Sequence, residues 1–367
     1  MLRPSIPSRR RAAQRWRAAA HALLLVAGAA CSQVDRLLTV QSPSLLSEEQ
    51  FLQPANATLM AASAQADFEC ALGGYVVASG LAAGELVDGS QTAARWSYDR
   101  RDVLAVDALY STSGCEAIGV YTPINTARYT NDLVVTRLEG WTDQQVPNRQ
   151  RLIGRASAFA GFSVLLLAEG FCSATIDVGP ELSTEQLFDA AIARFDKAIT
   201  VLQAAGDTEG VNLALVGRAR ARLGRGNRTG AAEDAARVPA GFVFNTTADN
   251  NAPRRQNRVF MQNNAGFAVT VAPAYRALTV AGQPDPRVRV TDGGRNAGDQ
   301  VNRLWVQNKY ATQITGLPVA SGIEARLIVA EVRGGAEGVA ILNELRARAG
   351  VALPPLSAAE GQAFAAT

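Results

Sequence analysis

STEQLFDAAIARFDKAITVLQAAGDTEGVNLALVGRARARLGRGNRTGAAEDAARV, residues 183–238, is the stretch on which the fold turns. Ser183 and Gln186 have capping-box spacing, a hydroxyl at the N-cap and an amide side chain three residues on, so a helix is predicted to begin there. Phe188, Ala191, Ile192, Phe195, Ala198, Ile199 and Leu202 follow as one apolar stripe at helical spacing, and Gly206 closes the segment. Two further helices meet at Leu223-Gly224-Arg225-Gly226. The small residues Ala219, Ala232 and Ala235 fall where those helices would touch, which lets their backbones approach closely.

That arrangement resembles a tetratricopeptide repeat, although only one such unit is legible. Working outward, Met60, Ala64, Phe68, Leu72 and Val76 recur every four residues, so a buried helix is expected from about Ala55, interrupted at Gly73-Gly74 and Gly80. A second follows through Ile124, Ala127, Asn131, Val134 and Leu138. A third starts at Arg151 and is almost wholly apolar in its second half. From Pro239 the texture turns to Asn, Gly, Pro and Asp, with short strands expected at Val269–Val271 and Leu304–Val306. Helix returns at Gly322 and breaks at Gly334-Gly335. The expected fold is mostly α, a tetratricopeptide-like α-α superhelix with a loop-rich region and few short strands. Its divisions are a signal peptide at 1–30, a lipid-anchored tether at 31–54, the helical region at 55–238, the loop-rich region at 239–320, and a C-terminal helix pair and tail at 321–367.

The N-terminus carries six arginines before an apolar run, Ala18 to Ala30, too short for the ~20 residues of a spanning helix. Basic, apolar and small-residue segments in that order make a secretory signal. Gly28-Ala29-Ala30-Cys31 resembles the bacterial lipoprotein signal, departing from it at Gly28, where Leu is usual; Cys31 is then the acylated residue. The alternative is an ordinary cleaved signal with Cys31 incidental. Subtracting the six arginines from 36 basic residues leaves 30 against 33 acidic, so the basic balance belongs to the export segment and does not point to nucleic acid. The single histidine, His21, leaves with the signal. A mature chain without histidine has no Ser-His-Asp triad and no His-based zinc site. Glu169 with Asp177 or Asp285 are the carboxylates a glycosidase reading would nominate, but no nucleophile motif accompanies them, and no enzyme, cofactor or metal site is expected.

Cys70, Cys115 and Cys172 match no metal spacing, and an exported chain meets an oxidising compartment. Cys70 lies on the first long helix, and Cys115 in a loop that must fold back towards it. The expected disulfide is therefore Cys70–Cys115, with Cys172 single.

GIEARLIVAE and AEGVAILNELRARAG, within Gly322 to Gly350, carry the Ala330-Glu331 and Asn343…Arg346…Arg348-Ala-Gly350 pattern. This pair is similar to the closing helices of the SusD/RagB family of outer-membrane nutrient-binding lipoproteins. The segment Ala168 to Ile199, the repeat-like pair after it, the signal ending at Cys31, and PDPRV (Pro284 to Val288) ahead of Lys309-Tyr310 fall in the same order. The resemblance implies an outer-membrane, lipid-anchored protein that binds a glycan or other oligomer and delivers it to a SusC-like TonB-dependent transporter. The alternative from the helical pattern alone is an envelope lipoprotein that scaffolds other proteins. Family members continue well beyond the position of Gly350, whereas this sequence runs to Thr367, which leaves the last helix pair expected to show an apolar face. Sugar recognition calls for aromatic faces in loop-like text, and the candidates are Trp96, Tyr98, Trp141, Trp305 and Tyr310. Trp305 and Trp141 are the two whose loss is expected to weaken binding most.

Overall fold

The Ser183 capping box forms in the computed structural model, which describes residues 47–111 and 113–365. The Ser183 N–H donates to Gln186 Oε1 at 2.9 Å, and the Gln186 N–H returns to Ser183 Oγ at 3.4 Å. The signal segment, Cys31 and most of the tether lie outside the described residues. The chain divides into two units, 1–51 and 52–367. In the first, the described residues make one helical turn, Glu48–Phe51, closed by the Phe51 N–H on the Ser47 carbonyl.

Among the described residues, the second unit holds eight helices of nine or more residues. They are α1 (Ala57–Ala82), α2 (Tyr121–Glu139), α3 (Arg149–Gly170), α4 (Thr184–Ala204), α5 (Thr208–Gly224), α6 (Arg228–Ala236), α7 (Gly322–Arg333) and α8 (Gly335–Ala347). From α2 onward, each through α6 packs on its successor, α6 packs on α7, and α1 lies against α2 and α3. This is the superhelix that the stretch 183–238 predicts.

Helix α3 is the centre of the core. By length and composition it could cross a membrane, but 83% of its apolar window is buried inside the protein. Phe159, Phe162, Leu165 and Leu167 are each at most 2% exposed. The apolar stripe of α4 packs on it: the Phe195 ring meets Phe162 edge-on, centroids 5.0 Å apart. A Cβ at Gly217 of α5 would fall 2.4 Å from Phe195, so glycine lets that ring sit between α3 and α5. Ala219, Ala232 and Ala235 are all buried, as expected for the contact between α5 and α6.

The expected interruption of α1 does not occur. The helix runs unbroken through Gly73-Gly74 and Gly80, because these glycines serve close approach, not termination. A Cβ at Gly74 would lie 2.8 Å from the Gly119 carbonyl oxygen, so the returning loop can reach the helix only there. The same loop is tied down by a Cys70–Cys115 disulfide, with Cα atoms 5.5 Å apart, while Cys172 is free and exposed.

The loop-rich region carries short antiparallel ladders. Val269–Val271 pairs with Leu86–Asp88, and Arg303–Gln307 pairs with Val290–Asn296. Side chains join them: Thr270 Oγ1 accepts the Trp305 N–H at 2.7 Å, and buried Asn263 donates to the Val269 and Trp305 carbonyls. Gly334 and Gly335, both at positive φ, turn the chain between α7 and α8. The last helix, Ala358–Ala365, lies along α8, yet Leu327 on α7 stays 45% exposed.

Arginine–carboxylate pairs stitch the helices at their rims. Asp234 accepts a bidentate Arg218 at 2.6 and 2.7 Å and Arg222 at 2.8 Å, joining α5 to α6. Asp207 caps α5 through the Gly210 N–H and accepts Arg155 and Arg151 from α3. Burial alone would raise the Asp207 carboxyl, but the Arg155 and Gly210 hydrogen bonds hold it below the usual range.

Asp207→Ala removes a cap and a carboxylate shared by Arg151 and Arg155, although Arg155 keeps Glu209 at 2.7 Å, so it should lower stability by about 1–2 kcal/mol. A depressed carboxyl contributes fully above its unfolded value of about 3.9 and loses that contribution as pH falls through the lower folded value. Urea unfolding should therefore show the gap between wild type and variant closing below about pH 4. Replacing Cys70 and Cys115 by serine, which opens a loop spanning a separation of 45 residues, should cost about 3–4 kcal/mol in the same assay.

Candidate binding site

The C-terminal half of α1 divides two cavities, and its helical period decides which residues face each. Tyr75, Ser79 and Ala82 line the larger, about 600 Å³. Val76 and Gly80 line the smaller, about 270 Å³.

Four segments build the larger cleft. Tyr75 comes from α1, Tyr98 from the short helix Trp96–Arg100, Tyr110 from Ala108–Ser111, and Glu169 and Phe171 from the end of α3. Gly170 is required between those last two, since a Cβ there would lie 2.8 Å from the Tyr75 ring. Tyr110 stacks on Tyr121, centroids 4.9 Å apart, and Phe171 meets both edge-on at 5.7 and 5.4 Å. The trio makes a rigid aromatic wall whose rings hold one another in place.

The polar groups of the cleft are hydroxyls, the Arg101 guanidinium and the Glu169 carboxylate. Burial, reinforced by Glu169, raises the Tyr75 hydroxyl to about 12. Burial, with Asp107 and Tyr110 close by, raises Tyr98 still further. Both phenols therefore stay protonated near neutral pH. The Tyr98 hydroxyl is buried without a hydrogen-bond partner. Arg101, held at positive φ, anchors its Nε on the Ala82 carbonyl at 2.7 Å. Glu169 is neutralised by Arg220, at 2.5 and 3.1 Å, and Arg220 also reaches Glu324 at 3.4 Å.

The carboxylates nominated for catalysis are each held by an arginine. Asp177 pairs with Arg128 at 2.7 Å, and Asp285 pairs with Arg287 at 2.7 Å. The Arg287 bonds keep Asp285 below the usual carboxylate range, the opposite of a general acid.

Of the aromatic candidates from sequence, Tyr98 lines the larger cleft and Tyr310 the smaller cavity. Trp96, Trp141 and Trp305 line neither, and no ring contact joins any two of Trp96, Trp141, Trp305 and Tyr310. Trp305 instead packs part-buried on the core, with the Arg276 guanidinium 5.4 Å from its ring centroid. Sequence reasoning passed over Tyr75, Tyr110 and Phe171. The SGCEAIG loop around Cys115 was the available signal, since a disulfide there had to bring the neighbouring Tyr110 back to α1.

No family model matches the sequence, and no curated protein matches it either. Solved structures do match by shape. A SusD-like carbohydrate-binding protein from Bacteroides vulgatus superposes with a TM-score of 0.63 at 14% identity, over 86% of this chain and 79% of its own. Surface glycan-binding protein A from Bacteroides fluxus gives 0.60 at 12% identity, covering 84% of both chains. Its counterpart from Bacteroides thetaiotaomicron, solved in complex with laminarihexaose, gives 0.54 at 12% identity, over 83% of this chain and 84% of its own. The chain has the SusD-like fold.

Proposed function

We propose that this chain belongs to the SusD/RagB family and captures an oligosaccharide in the cleft between α1 and α3, without chemistry. The observation that carries the reading is the cleft itself: Tyr110 and Phe171 line it with aromatic rings, and the protonated Tyr75 hydroxyl stands beside them. A sugar presents an apolar face to aromatic rings and hydroxyls to hydrogen-bonding groups, so it matches both. Each of the nominated carboxylates is engaged by an arginine, and Asp285 is held below the usual carboxylate range, which supports binding over hydrolysis. In this reading Cys31 carries lipid, the protein sits on the outer membrane, and the captured ligand passes to a TonB-dependent barrel.

Calorimetric titration with laminarihexaose tests the site. Phe171→Ala and Tyr110→Ala should each weaken binding about five- to tenfold, the cost of about 1 kcal/mol or more for a lost ring face. Trp141→Ala, remote from the cleft lining, serves as the comparator and should bind as wild type. Equal losses at all three positions would sink the assignment. Stoichiometric recovery of an envelope protein with no saccharide bound would favour the scaffold alternative.

Anchoring is tested separately. Cys31→Ser should move the protein from the detergent phase to the aqueous phase, because each buried lipid CH₂ contributes about 0.8 kcal/mol. Aqueous partitioning of the unaltered protein would remove the lipid from the reading.

A further inference from the structure

The smaller cavity differs from the cleft in its electrostatics. Tyr275 and Tyr310 supply ring faces, Val76 and Leu86 an apolar floor, and Arg289 and Lys309 stand at its edge. Neither tyrosine hydroxyl has a hydrogen-bond partner among the described residues. The volume, about 270 Å³, lies at the low end of ligand pockets and suits one ring-sized residue better than a chain.

The two cations are fixed by backbone pairing. Val290 is the partner of Gln307 in the ladder, and the Asn308 N–H donates to the Arg289 carbonyl at 2.9 Å. Arg289 and Lys309 therefore flank the same end of the two strands. Gln307, buried, grips the next turn: its Oε1 accepts the Tyr310 N–H at 2.8 Å and its Nε2 donates to the Tyr310 carbonyl at 3.0 Å. The Lys309 ammonium lies 5.5 Å from the Tyr310 ring centroid.

The charges facing the cavity do not balance. Arg287, Arg289 and Lys309 oppose Glu85, and Asp285 behind them is taken by Arg287 at 2.7 Å. Among the described residues, neither Arg289 nor Lys309 has a carboxylate within ion-pair reach. Two unpaired cations over apolar walls and tyrosine faces favour a ring-shaped anion over a neutral residue. The geometry points to this cavity as a site for a negatively charged sugar residue, carboxylated or sulfated. The inference rests on the reading of the chain as a saccharide binder and adds the charge of a second subsite.

The test titrates the full chain with a trigalacturonate, a sulfated heparin disaccharide and neutral laminarihexaose, in wild type and in the R289Q/K309Q double variant. Both substituted side chains are exposed, so the variant should stay folded, and unchanged circular dichroism checks that. At least one acidic ligand should bind wild type. The double variant should bind it about tenfold or more weakly while laminarihexaose binding stays unchanged. Raising salt from about 50 to about 500 mM should weaken the acidic ligand alone. Binding of trigalacturonate shows that a carboxylate suffices, whereas binding of the heparin disaccharide alone shows that sulfate is required. Laminarihexaose binding with no acidic binding, or acidic binding indifferent to the double substitution, overturns this inference and leaves the cleft reading standing. Binding of none of the three overturns both.

Discussion

Helix α3 is apolar almost all round in its second half, and it can be so only because α1, α2, α4 and α5 enclose it. Alone in water that surface would drive aggregation. In place it lets four neighbours bury their own apolar stripes at once, with Phe159 and Phe162 as shared contacts. The order of the other elements follows from this enclosure. Enclosure covers the middle of α3, so its two ends meet solvent, and at the C-terminal one Glu169 and Phe171 appear as cleft lining.

Apolar packing sets the distances between helices, and the ion pairs set which ends align. Lys197 and Lys309 are the lysines of the chain, so the rim pairs are made almost wholly by arginine. A guanidinium can grip a carboxylate at two points, as Arg218 does Asp234, and that fixes orientation as well as distance. Asp207 combines an N-cap with two arginine partners, coupling the start of α5 to the flank of α3. Among the described residues Arg289 and Lys309 make no such pair, and their weight in the proposed reading comes from lining one cavity together.

Legibility in the sequence tracked how local each signal was. The α4 capping box, its stripe and the small residues between α5 and α6 are decided within a few turns, and the spacing alone located them. The two strands at Val269–Val271 and Arg303–Gln307 could be anticipated from composition, but their partners at Leu86–Asp88 and Val290–Asn296 could not. Those pairings depend on contacts far apart in the chain, such as Thr270 with Trp305. Gly73-Gly74 misled because glycine reads locally as a helix breaker. Here it answers a tertiary demand, the passage of the Gly119 backbone, which enclosure of α1 makes worth its helix-propensity cost of about 1 kcal/mol each. The aromatic candidates were chosen for scarcity and loop context. Burial then assigned Trp305 to packing, while tyrosines from α1 and the Cys115 loop reached the cleft.

The disulfide links the chain's redox environment to the cleft. The segment between α1 and α2 carries Tyr98 and Tyr110 with little regular structure, so few backbone hydrogen bonds to other elements hold it, apart from its side-chain packing. Cys70–Cys115 ties it to α1, close to where Tyr75 enters the same cleft. Such a bond persists in an oxidising compartment and not in the cytosol. Beyond the stability it adds, the cross-link fixes the spacing between two tyrosine-bearing segments, and in the proposed reading this pre-forms the site, which then loses less entropy on binding. An oxidising compartment is therefore a structural condition of the cleft, since the loop that carries Tyr110 is cross-linked to α1 only where the thiols can pair.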